Sequence, residues 1–195
     1  MRTKKLEEFG VEIIGGQIIR RIEIEDREIE QVEDPSRKTI VAKTIGYGTI
    51  EKENIVEKDY KTLVDDAKYT RSGDIIVKLS APYNAAYITS EQEGILVSSF
   101  CAIIRNIRNI DPHYLLACLN SDYCQKQLTK SVSGALIGIL NNAKLKSLSI
   151  PDISDDKQQN IGKIFMKTVK NRQIVEKIIF LEVERINAIF DNLGE

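Results

Sequence analysis

One long segment at the C-terminal end constrains this chain more than any other feature. Beyond Pro151 there is no further proline, and the only glycine before the last two residues is Gly162. Apolar side chains recur there at helical spacing on one side, which predicts an amphipathic helix roughly 50 Å long. That length exceeds what a compact domain of ~150 residues needs. The apolar side chains are Ile161, Ile164, Phe165, Val175, Ile179, Val183, Ile186 and Phe190.

Two interpretations of this helix follow from the pattern. It either folds back on its own domain or projects as a coiled-coil arm that docks a partner. Glu176 and Glu182 interrupt the apolar side, so the seam is imperfect. Asp155 and Gln158 stand three residues apart at its start and predict a capping-box-like pair. We therefore expect a domain over 1–151 followed by a helix over 152–195.

The residues before this helix have the pattern of short β-strands, and then of short helices. Strands are predicted within 10–32, 39–51, 74–80, 85–89 and 95–105. The last of these is apolar on both faces, which indicates a central strand covered on both sides. Helices are then predicted to begin at Asp111-Pro112, after Ser121, and at Asn141 or Asn142. The fold class is therefore α+β: a mixed β-sheet with short helices, followed by the long helix.

The formal net charge of −1 hides an uneven distribution. Residues 1–66 carry 12 Lys and Arg against 16 Asp and Glu, whereas residues 67–150 carry 9 against 5. The middle of the chain is thus the part best suited to an anionic partner. The N-terminus lacks the apolar run of a signal peptide, and no apolar stretch is long enough to cross a bilayer. We expect a cytoplasmic protein that does not bind membranes.

Motifs for catalysis are missing from the sequence. With a single histidine, His113, and no C-x-x-C pair among three cysteines, neither a metal cluster nor a disulfide framework is expected. Neither a Walker loop nor a G-x-G-x-x-G fingerprint is present, and we predict no cofactor and no enzymatic activity. A nuclease remains a minor alternative, because Asp152 and Asp155 in "PDISDDK" resemble fragments of a metal-nuclease motif.

The stretch "RSGDIIVKLSAPYNAAYITSE", 71–91, begins as a strand and breaks at "APYN". Its position inside the basic section favours a DNA-facing loop over an ordinary hairpin. Lys and Arg can neutralise phosphates, and Asn and Ser can pair with base edges. The DNA-binding candidates here and in two other glycine-containing segments are Arg20, Arg21, Lys78, Ser80, Tyr83, Asn84, Tyr87, Lys130 and Ser133.

The order of these segments resembles the target-recognition domain of Type I restriction-modification specificity subunits. The similarity is strongest over 72–165 and departs at "PDISDDKQQ", where the family usually has further prolines and a Glu-Gln pair. The matching positions are Gly73, Asp74, Arg105, Pro112, Tyr114, Leu115, Leu119, Asn120, Ser121, Leu145, Leu148, Ile150, Pro151 and Gln158.

The resemblance implies a non-catalytic subunit that recognises double-stranded DNA. Its partners would be methyltransferase subunits and, through them, a restriction subunit. Family members join two such domains by two antiparallel helices, so one domain and one helix would correspond to half a subunit. Self-association through the helix, as a homodimer, would rebuild the two-domain arrangement. The alternative is an assembly scaffold whose helix joins other subunits while the domain does not read DNA.

Overall fold

The computed structural model describes residues 2–22, 36–60, 64–132 and 140–193. Much of the strand segment predicted within 10–32 lies outside these ranges, as does Ser133. The strands are β1 (Thr3–Lys5), β2 (Glu12–Gly15), β3 (Ser36–Ile40), β4 (Val56–Asp59), β5 (Ile75–Lys78), β6 (Ala85–Tyr87), β7 (Leu96–Val97), β8 (Cys101–Arg105) and β9 (Ser149–Pro151). The α-helices are α1 (Pro112–Asn120), α2 (Asp122–Val132), α3 (Asn142–Lys146) and α4 (Asp155–Leu193).

A four-stranded antiparallel sheet in the order β2-β8-β5-β6 forms the centre of the domain. Side chains of β5 alternate between its faces, as strand geometry requires. Ile75 and Val77 join a core cluster with α1 and α2, whereas Ile76 joins a second cluster with Ile40 of β3. Burial on both faces explains the continuous apolar run of β8, whose five residues are all buried.

The single strand predicted over 95–105 is wrong, because the chain turns at residues 98–100. The backbone N–H of Cys101 donates to the carbonyl of Ser98 at 2.9 Å, which closes the turn. Before the turn, β7 pairs in parallel with β3 in a separate sheet of order β4-β3-β7. After it, β8 enters the central sheet. The apolar run over 95–105 therefore contributes strands to two different sheets. The alternation of its side chains does not reveal the turn between them.

The predicted short helices are confirmed, together with their caps. Asp111 Oδ1 accepts the backbone N–H of Tyr114 at 2.8 Å, with Pro112 in the first helical position of α1. Asn141 caps α3 by accepting the N–H of Lys144 at 2.9 Å. A two-stranded pair of β1 and β9 ties the N-terminus to the residues that lead into α4. The mixed α+β class is confirmed.

Helix α4 contains 39 residues, and only about its first half packs against the domain, as far as Gln173, whose Nε2 donates to Thr49 Oγ1 at 3.0 Å. Gly162 makes this contact possible, because a Cβ there would lie 2.8 Å from Asp111 Oδ1 and 3.0 Å from the backbone N of Tyr114. Phe165 and Val169 are buried, whereas residues 170–191 are all exposed. The helix thus folds back on its own domain over its N-terminal part and projects from the domain beyond Gln173. Among the described helices, none has the length and apolar character needed to cross a membrane.

The predicted capping-box pair of Asp155 and Gln158 is wrong. Gln158 is buried, and its Oε1 accepts the backbone N–H of Asp111 at 2.8 Å. Its Nε2 donates to the carbonyl of Ile153 at 2.9 Å. Gln158 therefore joins the start of α4 to the start of α1, because a buried amide must satisfy both its donor and its acceptor.

Candidate nucleic-acid interface

One end of the central sheet gathers three loops, which we call the loop end: residues 16–22, 78–84 and 98–100. The register places the last residues of β2 and β5 beside the first residues of β8, with Gly15 opposite Ala102 and Lys78 opposite Cys101. Strand β6 also begins here, since Ala85 pairs with Val77. Antiparallel pairing thus brings segments that are distant in sequence to one edge of the domain.

Backbone hydrogen bonds fix the three loops to one another. The N–H of Gln17 donates to the carbonyl of Val97, and the N–H of Ser99 donates to the carbonyl of Gln17, both at 2.7 Å. The N–H of Leu79 donates to the carbonyl of Phe100 at 3.0 Å. Gly16 permits this approach, because a Cβ there would lie 2.1 Å from the carbonyl oxygen of Ser98.

The loop end combines positive charge with an absence of carboxylates. Arg20 and Arg21 are exposed, and Lys78 is half-buried at the end of β5. Ser80 and Asn84 are half-buried in the loop that follows. No Asp or Glu occurs in residues 16–22, 78–84 or 98–100. Five of the nine predicted DNA-binding residues therefore lie in loop segments whose composition suits a polyanion.

The other four predicted DNA-binding residues do not belong to the exposed set at the loop end. Tyr83 is 2% exposed, so its ring belongs to the core and its proposed role in DNA contact requires correction. Tyr87 lies at the opposite end of β6, with its ring centroid 4.9 Å from that of His113. Lys130 is exposed on α2. Ser133 lies outside the described residues.

The break at "APYN" is held by two amide side chains that the sequence analysis did not assign. Asn120 Oδ1 accepts the N–H of Ala85 at 3.1 Å, and its Nδ2 donates to the carbonyl of Ala85 at 3.0 Å. Gln125 makes the equivalent pair of hydrogen bonds to the backbone of Tyr83, at 3.1 and 2.9 Å. These amides supply the partners that a neighbouring strand would otherwise supply, so the loop keeps a defined path.

A buried ion pair stabilises the opposite end of the sheet. Arg105 Nε donates to Asp74 Oδ1 at 2.9 Å, and Arg105 Nη2 donates to Asp74 Oδ2 at 2.7 Å. Arg105 also donates to the carbonyls of Ala67 and Tyr69. The hydrogen bond to Asp74 raises the pKa of Arg105, while burial lowers it. All its groups are satisfied internally, which indicates a structural role.

The groups that catalysis would require are poorly placed in the described residues. They include no group of three His, Cys, Asp or Glu that could hold a metal ion. Burial raises the pKa of the Cys101 and Cys124 thiols to about 12 and that of Cys118 to about 11, so none is an activated nucleophile. Asp152, from the nuclease-like fragment, pairs with Arg2 and Lys4 at 3.3 and 3.2 Å.

The distal part of α4 presents two apolar stripes. The predicted stripe contains Val175, Ile179, Val183, Ile186 and Phe190, all exposed. A second stripe, which was not predicted from the sequence, lies about 120° around the helix. It contains Ile174, Ile178, Leu181 and Ile189, and Arg185 interrupts it.

Three residues of the predicted partner stripe lie on the first third of α4. Ile161 and Ile164 are exposed there. Phe165 is not available to a partner, which corrects its assignment: its ring is buried with its centroid 5.4 Å from that of Tyr47. The glycine at position 48 leaves room for this ring.

Comparison with known proteins gives a consistent result. Residues 35–185 match the family model described as Type I restriction modification DNA specificity domain. A similar fold is found in the HsdS subunit from Thermoanaerobacter tengcongensis, at 19% identity and a TM-score of 0.56, covering 85% of this chain and 44% of that one. The Type I restriction-modification S subunit from M. genitalium gives 14% identity and a TM-score of 0.55, covering 90% and 41%.

The type IIG restriction endonuclease BpuSI also has a similar region, at 13% identity and a TM-score of 0.58, covering 84% of this chain and 26% of that one. At these identities the likeness concerns the fold. The chain spans less than half the length of each of these proteins. No curated protein matches the sequence.

Proposed function

This chain belongs to the family of Type I restriction-modification DNA specificity domains, and on that premise we propose that it recognises a sequence in double-stranded DNA without catalysing a reaction itself. The observation that carries the proposal is the loop end, where Arg20, Arg21 and Lys78 lie in described segments, 16–22 and 78–84, that contain no carboxylate. Such a surface attracts phosphates, and Ser80 and Asn84 can pair with base edges.

We further propose that α4 binds methyltransferase subunits, which would bring a restriction subunit to the same DNA. Support comes from the exposed apolar side chains of its distal part, because surface of this kind is costly to leave in water. A solved structure of similar fold concerns complex assembly and conformational transition of a Type I restriction-modification system. One stripe could pair with a second copy of this chain while the other contacts the methyltransferase.

A homodimer formed in this way would carry two recognition domains and read a two-part target. The chain spans less than half of the HsdS subunits that share its fold. A closed two-fold interface would use the same stripe on both copies.

The proposal can be tested by selecting binding sites from random-sequence duplexes, with the full chain alone and with its methyltransferase subunits. We expect a defined sequence to be enriched and binding to weaken steeply as salt rises. Replacing Arg20, Arg21 and Lys78 with alanine should reduce the slope of log affinity against log salt by about 1 per cation. The control is Lys163→Ala/Lys167→Ala, because Lys167 borders the groove beside Tyr87, away from the loop end.

The second candidate function is an assembly scaffold that does not read DNA, which the exposed distal part of α4 favours. The same selection separates the two. A scaffold would bind the methyltransferase subunits through α4, yet no sequence would be enriched, and the loop-end variants would assemble as the wild type does. Enrichment of a sequence that is lost in the loop-end variants would eliminate the scaffold.

A further inference from the structure

Phe100 is an exposed aromatic side chain at the tip of the turn between β7 and β8. The ring is 58% exposed, although its neighbours Ser98 and Cys101 are buried. Its backbone is fixed on both sides: Cys101 N–H closes the turn on Ser98, and the Phe100 carbonyl accepts the N–H of Leu79. The turn therefore presents the ring on a rigid support.

A second exposed apolar side chain, Ile18, lies beside this turn. Gln17 forms a parallel bridge with Ser98, and Ser99 N–H donates to the Gln17 carbonyl at 2.7 Å. Gln17 is followed by Ile18, which is 42% exposed, and Ser99 is followed by Phe100. In the described residues before α4, the exposed large hydrophobic side chains are these two and Tyr123. Two of the three thus share one tip.

The surroundings of this tip indicate what kind of molecule would cover it. Arg20 and Arg21 follow Ile18 within three residues, and Lys78 lies opposite Cys101 in the sheet. The described residues of the surrounding loops, 16–22, 78–84 and 98–100, contain no Asp or Glu. A rigid apolar tip between cations matches a duplex, whose phosphates flank a groove lined by base edges. The thymine 5-methyl is the apolar group that the major groove offers.

We propose, building on the function proposed above, that Phe100 is a specificity-determining residue that packs with Ile18 against the 5-methyl group of a thymine in the target. Arg20, Arg21 and Lys78 would hold the flanking phosphates. A wedge between base pairs would require one side chain to enter the stack alone. The β-branched side chain of Ile18 beside Phe100 broadens the tip, which favours contact with a groove edge over insertion.

Site selection with the wild-type chain and with Phe100→Ala tests this inference. The wild type should enrich a site in which one A·T pair is strongly preferred. Phe100→Ala should lose the preference at that pair and keep it at the others. Phe100→Leu should retain part of it, because leucine remains apolar. Tyr123→Ala removes an exposed aromatic ring from α2 and should enrich the wild-type site.

Replacing that thymine with deoxyuridine removes only the methyl group. Wild-type binding should weaken about fourfold, as expected for one lost methyl contact. Phe100→Ala should bind the two duplexes equally. Since Phe100 is exposed, the thermal unfolding midpoint of the variant should equal that of the wild type.

The outcomes separate this inference from the proposed function. If the wild type enriches no sequence, the proposed function fails. If it enriches a sequence that Phe100→Ala enriches identically, only the role of Phe100 fails. If Phe100→Ala weakens binding of the methyltransferase subunits while base preference is unchanged, the tip contacts protein and the inference is overturned. Equal wild-type affinity for the thymine and deoxyuridine duplexes would also overturn it.

Discussion

The side chains of Asp74 and Arg105 are 2% and 6% exposed, and two hydrogen bonds join them. We expect Asp74→Ala to lower the free energy of unfolding by about 3–5 kcal/mol, because the guanidinium would stay buried without its counter-charge. Urea denaturation measures this change. Glu91→Ala removes the exposed partner of Lys52 and should change the urea midpoint little. A loss in Asp74→Ala as small as the control's would show that Arg105 is hydrated in the variant.

The three thiols are predicted to be chemically silent in the folded protein. Burial raises their pKa values to about 11 or 12, so the thiolate is scarce at pH 8. A thiol reagent should label Cys101, Cys118 and Cys124 quickly only after unfolding in guanidinium. Because the folded pKa values lie above the ordinary thiol value of 9.0, this contribution to stability is present below pH 9 and is lost as pH rises towards 12. Fast labelling at pH 8 without denaturant would contradict this.

At the scale of single residues, the sequence predicts the kind of side chain at the loop end better than it predicts which side chains are buried. It identifies Arg20, Arg21, Lys78, Ser80 and Asn84 as DNA-binding candidates. The structure places all five in the loop end. The prediction fails for Tyr83, because a tyrosine in a polar loop has the pattern of a surface residue. That ring is buried by tertiary packing around α2, whose Gln125 holds the Tyr83 backbone from 42 positions away. Local periodicity contains no information about such a contact.

At the scale of elements, Gly48 determines how α4 meets the domain. It has φ of +80°, and a Cβ there would lie 2.5 Å from Val169 Cγ2 and 3.1 Å from a ring carbon of Phe165. Gly48→Ala should lower the free energy of unfolding by about 2–4 kcal/mol, from backbone strain plus overpacking.

Gly73 supplies a matched control for that substitution. It has φ of +89°, but a Cβ there would meet nothing within 4 Å. Gly73→Ala should therefore cost only the backbone term, about 1–2 kcal/mol. Thermal unfolding of both variants separates the two contributions. Equal losses in the free energy of unfolding would mean that α4 shifts to accommodate the added methyl group at no energetic cost.

The sequence predicts the existence and length of α4 but not where its contact with the domain ends. The absence of proline and the helical spacing of apolar residues are local features of the sequence, so they predict the helix well. The change from buried to exposed after Val169 depends on Tyr47 and Gly48, which lie more than a hundred positions away. Apolar periodicity is the same on both sides of that change, so Phe165 was grouped with residues that face solvent.

At the scale of the whole molecule, the two proposed binding surfaces lie apart. The loop end contains Arg20, Arg21 and Lys78, while the distal part of α4 carries most of the exposed large hydrophobic side chains. Contact with α4 involves the end of the sheet where Tyr87 lies, opposite the loop end. A DNA duplex and a protein partner could therefore bind without competing for surface. This separation is consistent with a recognition subunit that connects DNA to an assembly.

The stripes of α4 lead to the last prediction, which concerns self-association. Glu176 and Glu182 lie at the edges of the stripe from Val175 to Phe190 and leave its centre continuous, whereas Arg185 lies within the stripe from Ile174 to Ile189. A continuous seam suits pairing between two copies, because the same stripe on each copy can then pack along the whole length of the other. We expect the full chain to form a dimer. We also expect Ile179→Asp/Ile186→Asp to weaken it by at least about a hundredfold, since each aspartate would enter a buried seam.

The matched variant, Ile178→Asp/Ile189→Asp, adds the same charges to the other stripe and should leave the dimer intact while weakening methyltransferase binding. All four residues are exposed in the single chain, so neither substitution should lower the thermal unfolding midpoint of the monomer. Sedimentation equilibrium distinguishes the outcomes. A wild-type chain that remains monomeric at high concentration would contradict the predicted dimer. Equal weakening by both variants would show that one partner wraps both stripes, and assignment of a separate stripe to each partner would then fail.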